Sequence, residues 1–334
     1  MAKAKKGFPA KAVFARLLAA LVAAAACGAV WAGQHYGLFS QLVPDQPSIP
    51  EGFIDDNSTH AFVEFIDVGE GDAALIGSEG HYMLIDTGSP DDTDKLIRTL
   101  MEEGVTALDY LVLSHPHADH IGEAAEIISR FDIGCVISPE VPQSLLPDTV
   151  SYDKLMETAD KLHTDLRTAK DERFALGDTC TFETFVPKDT YDDLNDYSVF
   201  LRFTHGDNTF LFTGDSEQPE EEELVSRVAD LSADVLKAGH HGGRDSCSLA
   251  LLSAVKPKYT VVSCGKDNDY GHPNRDTLRR IGQFSVEIFV TAEDGNIRFE
   301  SDGCRIKATK GYKYHKEQET EKKETDTQWN SMTQ

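Results

Sequence analysis

Residues 114–120 read Ser-His-Pro-His-Ala-Asp-His, which puts three imidazoles and one carboxylate into the six positions His115 to His120. Neutral imidazole and carboxylate are the ligands that zinc and similar divalent cations take. The order His115-x-His117-x-Asp119-His120 offers two ligand pairs, able to face two neighbouring cations. A polar loop that is histidine-rich by accident is the alternative. With 12 histidines in 334 residues, three in so short a window argue against it. The chemistry implied is hydrolysis: two cations roughly 3.5–4 Å apart bring a shared water close to neutral pKa and stabilise both the attacking and the leaving oxygen.

Such a loop must be held by rigid elements. The apolar run 108–113 immediately before it is short and continuous and ends in a Pro-containing turn, so it reads as a buried strand. Strands are also expected at 61–68, 73–77, 81–86, 134–138, 180–186, 197–204, 208–214, 233–238, 258–263, 286–291, 296–301 and 304–309. Helical spacing appears at 92–103, 121–130, 151–168, 217–230, 246–255 and 274–283. His205-Gly206-Asp207-Asn208, Glu293-Asp294-Gly295-Asn296 and Asp302-Gly303 read as hairpin turns. The acidic run Glu217 to Glu223 reads as the solvated first turns of a helix, where acids complement the helix N-terminus.

The quoted loop, His-x-His-x-Asp-His after a strand, resembles the metallo-β-lactamase fold superfamily. Phe62 to Ala73, with its Asp67-Val68-Gly69-Glu70-Gly71-Asp72 stretch, and Met83 to Gly88 look like that family's opening strands. Phe210-Leu211-Phe212-Thr213-Gly214-Asp215 resembles the strand that delivers its bridging aspartate, and Leu236 to Gly242 the strand end that carries its last metal histidine. With Gly271-His272-Pro273 and Asp294-Gly295, the pattern over about 60–309 is similar to the soluble hydrolase domain of ComEC-type DNA-uptake competence proteins. Glu70 stands where that pattern has glutamine. The resemblance implies an αββα four-layer sandwich and two divalent metal ions, zinc or manganese.

The resemblance also assigns roles. His115 and His117 would hold the first metal, Asp119 and His120 the second, with Asp215 bridging both. Asp215 also fits a helix N-cap ahead of 217–230. Of His240 and His241, one would be the terminal ligand and the other a substrate contact, in an order the sequence leaves open. Asp86 would brace the histidine loop by hydrogen bonds. No third histidine for the first metal stands in its usual slot, where Asn195-Asp196-Tyr197-Ser198 occurs instead. His163, in a helical pattern, and His205, at a hairpin tip, are expected to be solvent-exposed, and Lys237 is read as a strand lysine at an edge. His272 is a candidate phosphate contact, and with Asp119 a candidate catalytic group.

Residues 1–16 carry Lys3, Lys5, Lys6, Lys11 and Arg16 and no acid, and 17–32 is free of charge. This reads as an export signal or N-terminal membrane anchor, followed by a linker at 33–59 and a hydrolase domain outside the cytoplasm. Residues 310–334 are polar and expected to be disordered. Cys27, Cys135, Cys180, Cys247, Cys264 and Cys304 show no Cys-x-x-Cys spacing, which excludes a zinc ribbon or redox motif. The chain carries −25, and removal of the five leader cations leaves 27 basic against 57 acidic residues. That balance argues against tight, extended binding of nucleic acid, while divalent cations could still supply local positive charge. Three functions remain: a phosphodiesterase or nuclease acting on nucleic acid or a small phosphodiester; a hydrolase of a small ester, lactone or β-lactam; and a catalytically idle surface module. No protein partner is evident.

Overall fold

The computed structural model describes residues 60–90, 93–284 and 287–312. The expected leader, the 33–59 linker and the tail after 312 lie outside the described residues. Among the described residues no helix is long and apolar enough to cross a membrane.

Fifteen strands form two sheets among the described residues. The first is built from β1 (Ala61–Phe65), β2 (Ala74–Ser78), β3 (His81–Ile85), β4 (Ala107–Val112), β5 (Asp132–Ser138), β6 (Leu166–Thr168), β14 (Ile297–Ser301) and β15 (Ile306–Lys310), in the order β15-β14-β1-β2-β3-β4-β5-β6. The second holds β7 (Glu172–Leu176), β8 (Cys180–Phe185), β9 (Phe200–His205), β10 (Asn208–Phe212), β11 (Val235–Lys237), β12 (Tyr259–Val262) and β13 (Glu287–Val290), in the order β13-β12-β11-β10-β9-β8-β7. Successive side chains alternate between the faces of a strand, so each sheet presents two apolar faces. Met83 and Ile85 point into the core between the sheets, where they join Phe65, Phe182, Phe203, Phe210 and Phe212. Leu84 points outward, with Leu75, Leu111 and Val136, against Leu96 and Leu100 of α1 (Thr93–Glu102), Ile121 of α2 (Ala118–Ile121), Ile127 of α3 (Ala124–Arg130) and Leu155 of α4 (Val150–Leu162). Leu211, Leu236 and Val262 cover the other outer face, under Leu224 of α5 (Gln218–Arg227), Leu251 and Val255 of α6 (Leu249–Val255) and Ile281 of α7 (Arg275–Gly282). The result is helix, sheet, sheet, helix: the αββα sandwich. Each fully buried phenylalanine contributes on the order of 2–3 kcal/mol.

Several local expectations give way. The helix expected over 151–168 stops at Leu162, because His163 takes a left-handed conformation (φ 54°) that caps it, and the chain returns as β6 and β7. His205 is buried rather than exposed, its Nδ1 lying 2.7 Å from Ser301 Oγ. Asp294-Gly295 does not close a hairpin: β13 and β14 belong to different sheets, and a short helix, α8 (Thr291–Asp294), carries the chain across. Lys237 lies on an interior strand between β10 and β12, not at an edge. The glutamate run opens a helix as expected but is solvated only in part, with Glu222 exposed and Glu217 and Glu223 half-buried. Glu220 and Glu221 are fully buried, and Glu221 accepts the Cys247 and Ser248 backbone N–H groups at 2.7 and 2.6 Å ahead of α6. Lys310, expected in the disordered tail, ends β15, and the Tyr312 N–H reaches Asn296 O at 3.1 Å.

Candidate metal centre

The loops after β1, β3, β4, β10, β11 and β12 carry the candidate residues, so both sheets contribute. After β4 the chain runs directly into the histidine loop, which the neighbouring strand β3 clamps. Asp86 Oδ1 accepts the Ser114 N–H (2.7 Å), while its Oδ2 accepts Ser114 Oγ–H (2.7 Å) and His120 Nδ1–H (2.9 Å). With Nδ1 committed to a carboxylate, His120 presents Nε2 to the site, the arrangement a metal-ligating histidine requires. The loop after β1 also grips: Asp72 N–H donates to Asp119 O at 3.2 Å. Gly71 (φ 133°) permits that approach, since a Cβ there would lie 2.4 Å from Asp119 O. On the second sheet, Gly214 (φ 52°) lets Ser198 Oγ approach and accept the Asp215 N–H at 3.0 Å.

Ligand atoms of Asp119, His120, Asp215 and His241 all lie within 4.8 Å of one another. His120 Nε2 and His241 Nε2 sit 3.1 and 3.3 Å from Asp215 Oδ2, and His241 Nε2 is 3.3 Å from Asp119 Oδ2. His120 Nε2, His241 Nε2 and Asp215 Oδ1 are buried and make no hydrogen bond, although unpaired buried polar atoms are costly. A divalent cation would satisfy this set, and the donor types fit one. Burial alone would raise the Asp215 carboxyl, yet the charges of His120 and His241 hold it well below the usual range. Burial opposes charge on His241, and Asp215 and Asp119 outweigh it, lifting that imidazole well above its ordinary value. Histidines held charged in this way must release protons when a cation binds.

His115 stands beside this group, with Nε2 3.9 Å from Asp215 Oδ2 and 3.0 Å from His117 Nδ1. Burial and the neighbouring His120 hold His115 well below its ordinary value, in the neutral form a ligand needs. His115 and His117 thus lie beside the group without belonging to its set of mutually close ligand atoms. Asn195, in the 195–197 turn, keeps its Oδ1 buried without a hydrogen bond.

His240 and His241, which the sequence leaves unordered, separate here. His241 Nδ1–H donates to Ser263 O (3.1 Å) and its Nε2 faces the carboxylates. His240 turns away, and its Nδ1–H donates to Glu217 Oε1 at 2.9 Å. Burial disfavours charge on His240, but Glu217 lifts it above its ordinary value. His272 lies outside the ligand group as well, its ring 5.4 Å from that of His240 and 5.9 Å from that of His241, with Nδ1 3.4 Å from Glu70 Oε1. Glu70 also accepts the Gly265 N–H at 2.7 Å, tying the loop after β1 to the loop after β12.

Comparison with known proteins joins these observations. Residues 66–266, more than half of the chain, match the model of the metallo-beta-lactamase superfamily. The chain belongs to this superfamily. Similar proteins include ComE operon protein 3 of Bacillus subtilis, 28% identical over 261 residues that cover 72% of this chain and 33% of that protein. Competence protein ComA of Neisseria gonorrhoeae is 28% identical over 260 residues, covering 76% of this chain and 35% of its own length. The chain thus spans about a third of the length of these relatives. Among solved structures, the metallo-beta-lactamase fold protein YhfI from Bacillus subtilis is 17% identical, covers 72% of this chain and all of its own, and has a TM-score of 0.47.

Two residues behind the candidate ligand group have no role in the sequence reading, which passes over Asp72 and takes Lys237 for a lysine at a strand edge. Asp72 closes a second buried group with Asp86 and His120, whose ligand-type atoms lie within 4.8 Å. Lys237 Nζ sits 2.7 Å from Asp72 Oδ2 and donates to Ala238 O at 2.7 Å. Both side chains are buried, so the ammonium acts as an internal cation behind the candidate ligand group. Signals were present: Asp72 interrupts Gly71-Asp72-Ala73-Ala74, and Lys237 is the one charge in Val235-Leu236-Lys237-Ala238. A charge in a strand buried on both faces requires a partner.

Proposed function

We propose that this domain is an exported, metal-dependent phosphodiesterase that cleaves nucleic acid or a small phosphodiester at a dinuclear centre of zinc or manganese. The observation that carries the reading is the pair of imidazoles, His240 and His272, that flank the ligand His241 without joining its group. A phosphodiester presents charged non-bridging oxygens before reaction begins, and two imidazole donors beside the centre answer that charge. Similarity to proteins named for competence, and to Recombination protein 2 of Haemophilus influenzae, supports the same substrate class.

Asp119, His120, Asp215 and His241 would hold one cation, and His115, His117 and Asp215 the other. When bound, such cations supply Lewis acidity and lower the pKa of water. The chain's own groups do the rest. Asp86 and Ser263 fix the tautomers of His120 and His241. Glu217 keeps Nδ1 of His240 occupied and leaves Nε2 to donate to substrate. Glu70 orients His272 toward the same space. The basic leader at 1–32 supports a location outside the cytoplasm, with the domain either released or anchored to the membrane by that segment. A second reading, hydrolysis of a small ester, lactone or β-lactam, draws on the net charge of −25, which repels polyanions.

A substrate panel on metal-replete protein decides between them: bis-p-nitrophenyl phosphate and single-stranded DNA against nitrocefin and a lactone. Turnover of the phosphodiesters, lost in His117→Ala/Asp119→Ala together with bound metal, is the expected result. Turnover of the lactone or nitrocefin alone refutes the proposal. Fusion of residues 1–45 to a reporter active only outside the cytoplasm tests export, and a reporter silent there refutes that part.

A further inference from the structure

We infer that Tyr270 is a stacking platform for a nucleobase beside the scissile phosphodiester, and that this stack, rather than charge, holds the substrate strand. The inference rests on the phosphodiesterase reading and names how such a site would select its substrate. Tyr270 is 74% exposed, the most exposed large hydrophobic side chain among the described residues. Its loop is nonetheless pinned: Asn268 Nδ2 donates to Gly265 O (2.9 Å) and His272 O (2.6 Å), and Asn268 Oδ1 accepts the His272 N–H (2.9 Å). The Tyr270 ring lies 18° from parallel to the His272 ring, with centroids 5.7 Å apart, inside the range of offset stacking. His272 in turn stands 5.9 Å from the ligand His241. Rings therefore step outward from the metal ligands to solvent and end on an aromatic surface that the fold leaves uncovered. Base stacking on such a ring tolerates any base, because every base has a π-face.

Charge offers little in its place. Arg244 and Lys266 on the loops around this stack, and Arg275 at the start of α7, are exposed and make no ion pair among the described residues. Asp245, Asp267 and Asp269 are exposed on the same loops and offset them. A strand held there releases few counterions, so its affinity should depend weakly on salt.

The test uses the full chain loaded with manganese and two single strands of equal length, oligothymidylate and an abasic strand. The wild-type protein should show the lower KM for the base-bearing strand. Tyr270→Ala should raise that KM about five- to hundredfold, with a smaller change in kcat, and bring the ratio between the strands close to one. Tyr270→Trp should preserve the ratio, and both variants should melt with the wild-type protein, since the ring is exposed. The log–log slope of oligothymidylate binding against salt should be no steeper than about −1. A KM ratio near one in the wild-type protein, or one unchanged in Tyr270→Ala, overturns the platform. A slope steeper than about −2 overturns the minor role of charge. Cleavage of neither strand by protein that turns over bis-p-nitrophenyl phosphate refutes the inference alone, cleavage of neither strand without that turnover refutes the phosphodiesterase reading with it, and cleavage of both strands with equal KM refutes the platform alone.

Discussion

Lys237→Met removes the internal cation behind the metal ligands and leaves Asp72 buried opposite an apolar side chain. With Nζ and Oδ2 2.7 Å apart, two unit charges at an effective dielectric constant of about 20 attract by roughly 6 kcal/mol. Desolvation of both groups offsets part of that, and breaking such a buried pair costs about 3–5 kcal/mol. The loss has a sign in pH. Beside Lys237, Asp72 is held below its ordinary value against the upward push of burial. Without the ammonium, only His241 and His120 still oppose burial, so the carboxyl rises from where Lys237 holds it and takes up a proton more readily in acid. Urea unfolding in EDTA should therefore show about 3–5 kcal/mol lost at pH 7.5 and clearly less at pH 5, with the m-value unchanged. Lys237→Met/Asp72→Asn should recover about 1–3 kcal/mol at pH 7.5, because position 72 no longer carries a charge that has lost its ammonium partner. A loss under about 1 kcal/mol at pH 7.5, or the same loss at both pH values, refutes the assignment of Lys237 as the counter-charge.

Glu221, pushed by burial to about 7, contributes stability in full below its ordinary value of 4.5 and loses it as pH rises through about 7; Glu221→Gln should flatten that fall of up to about 3 kcal/mol in pH-dependent melts. His241→Ala should abolish zinc binding by calorimetry, whereas His240→Ala should retain it and lower turnover about 10²–10³-fold, because only His241 belongs to the ligand group. Added zinc should raise the unfolding free energy by about 2.7 kcal/mol at a hundred times its Kd, and the gain should vanish in His120→Ala. Gly71→Ala should lower that metal affinity measurably, since its Cβ would press on the Asp119 carbonyl at 2.4 Å.

The sandwich was legible because its strands are long, apolar and bounded by turns, as in Met83-Leu84-Ile85 with Asp86 at its end. Weakly patterned elements were not. Leu166–Thr168 is too short to show a period of two and is absorbed into the end of the helix expected over 151–168, while Glu172–Leu176 carries two charges, stays largely exposed and shows no strand pattern. At the site, residue types marked which loops carry ligands, but orientation lies in the backbone. His240 and His241 share positive φ values of 44° and 51°, and only the chain's path sends one ring to Ser263 and the other to Glu217. Burial was misjudged wherever a charge finds a partner far along the chain. Lys237 meets Asp72, and Glu221 meets the backbone at 247–248, contacts that no local window contains.

The Phe65–Phe212 stack, with rings 5.5 Å apart at 28°, lies between the two sheets just beneath the centre and lines the same internal cavity as Asp72, Asp86, Lys237 and Ser263. Apolar contact is non-directional and lets packed sheets slide, while a hydrolytic centre loses function when its groups shift by about 1 Å. These two rings therefore act as a spacer that sets the gap across which Asp119 and His120 meet Asp215 and His241. Mutational tolerance in this core should then be graded by depth. Near Phe65 and Phe212, a residue of altered volume would spoil alignment before it threatened folding, and at the opposite strand ends the same change would be judged by stability alone.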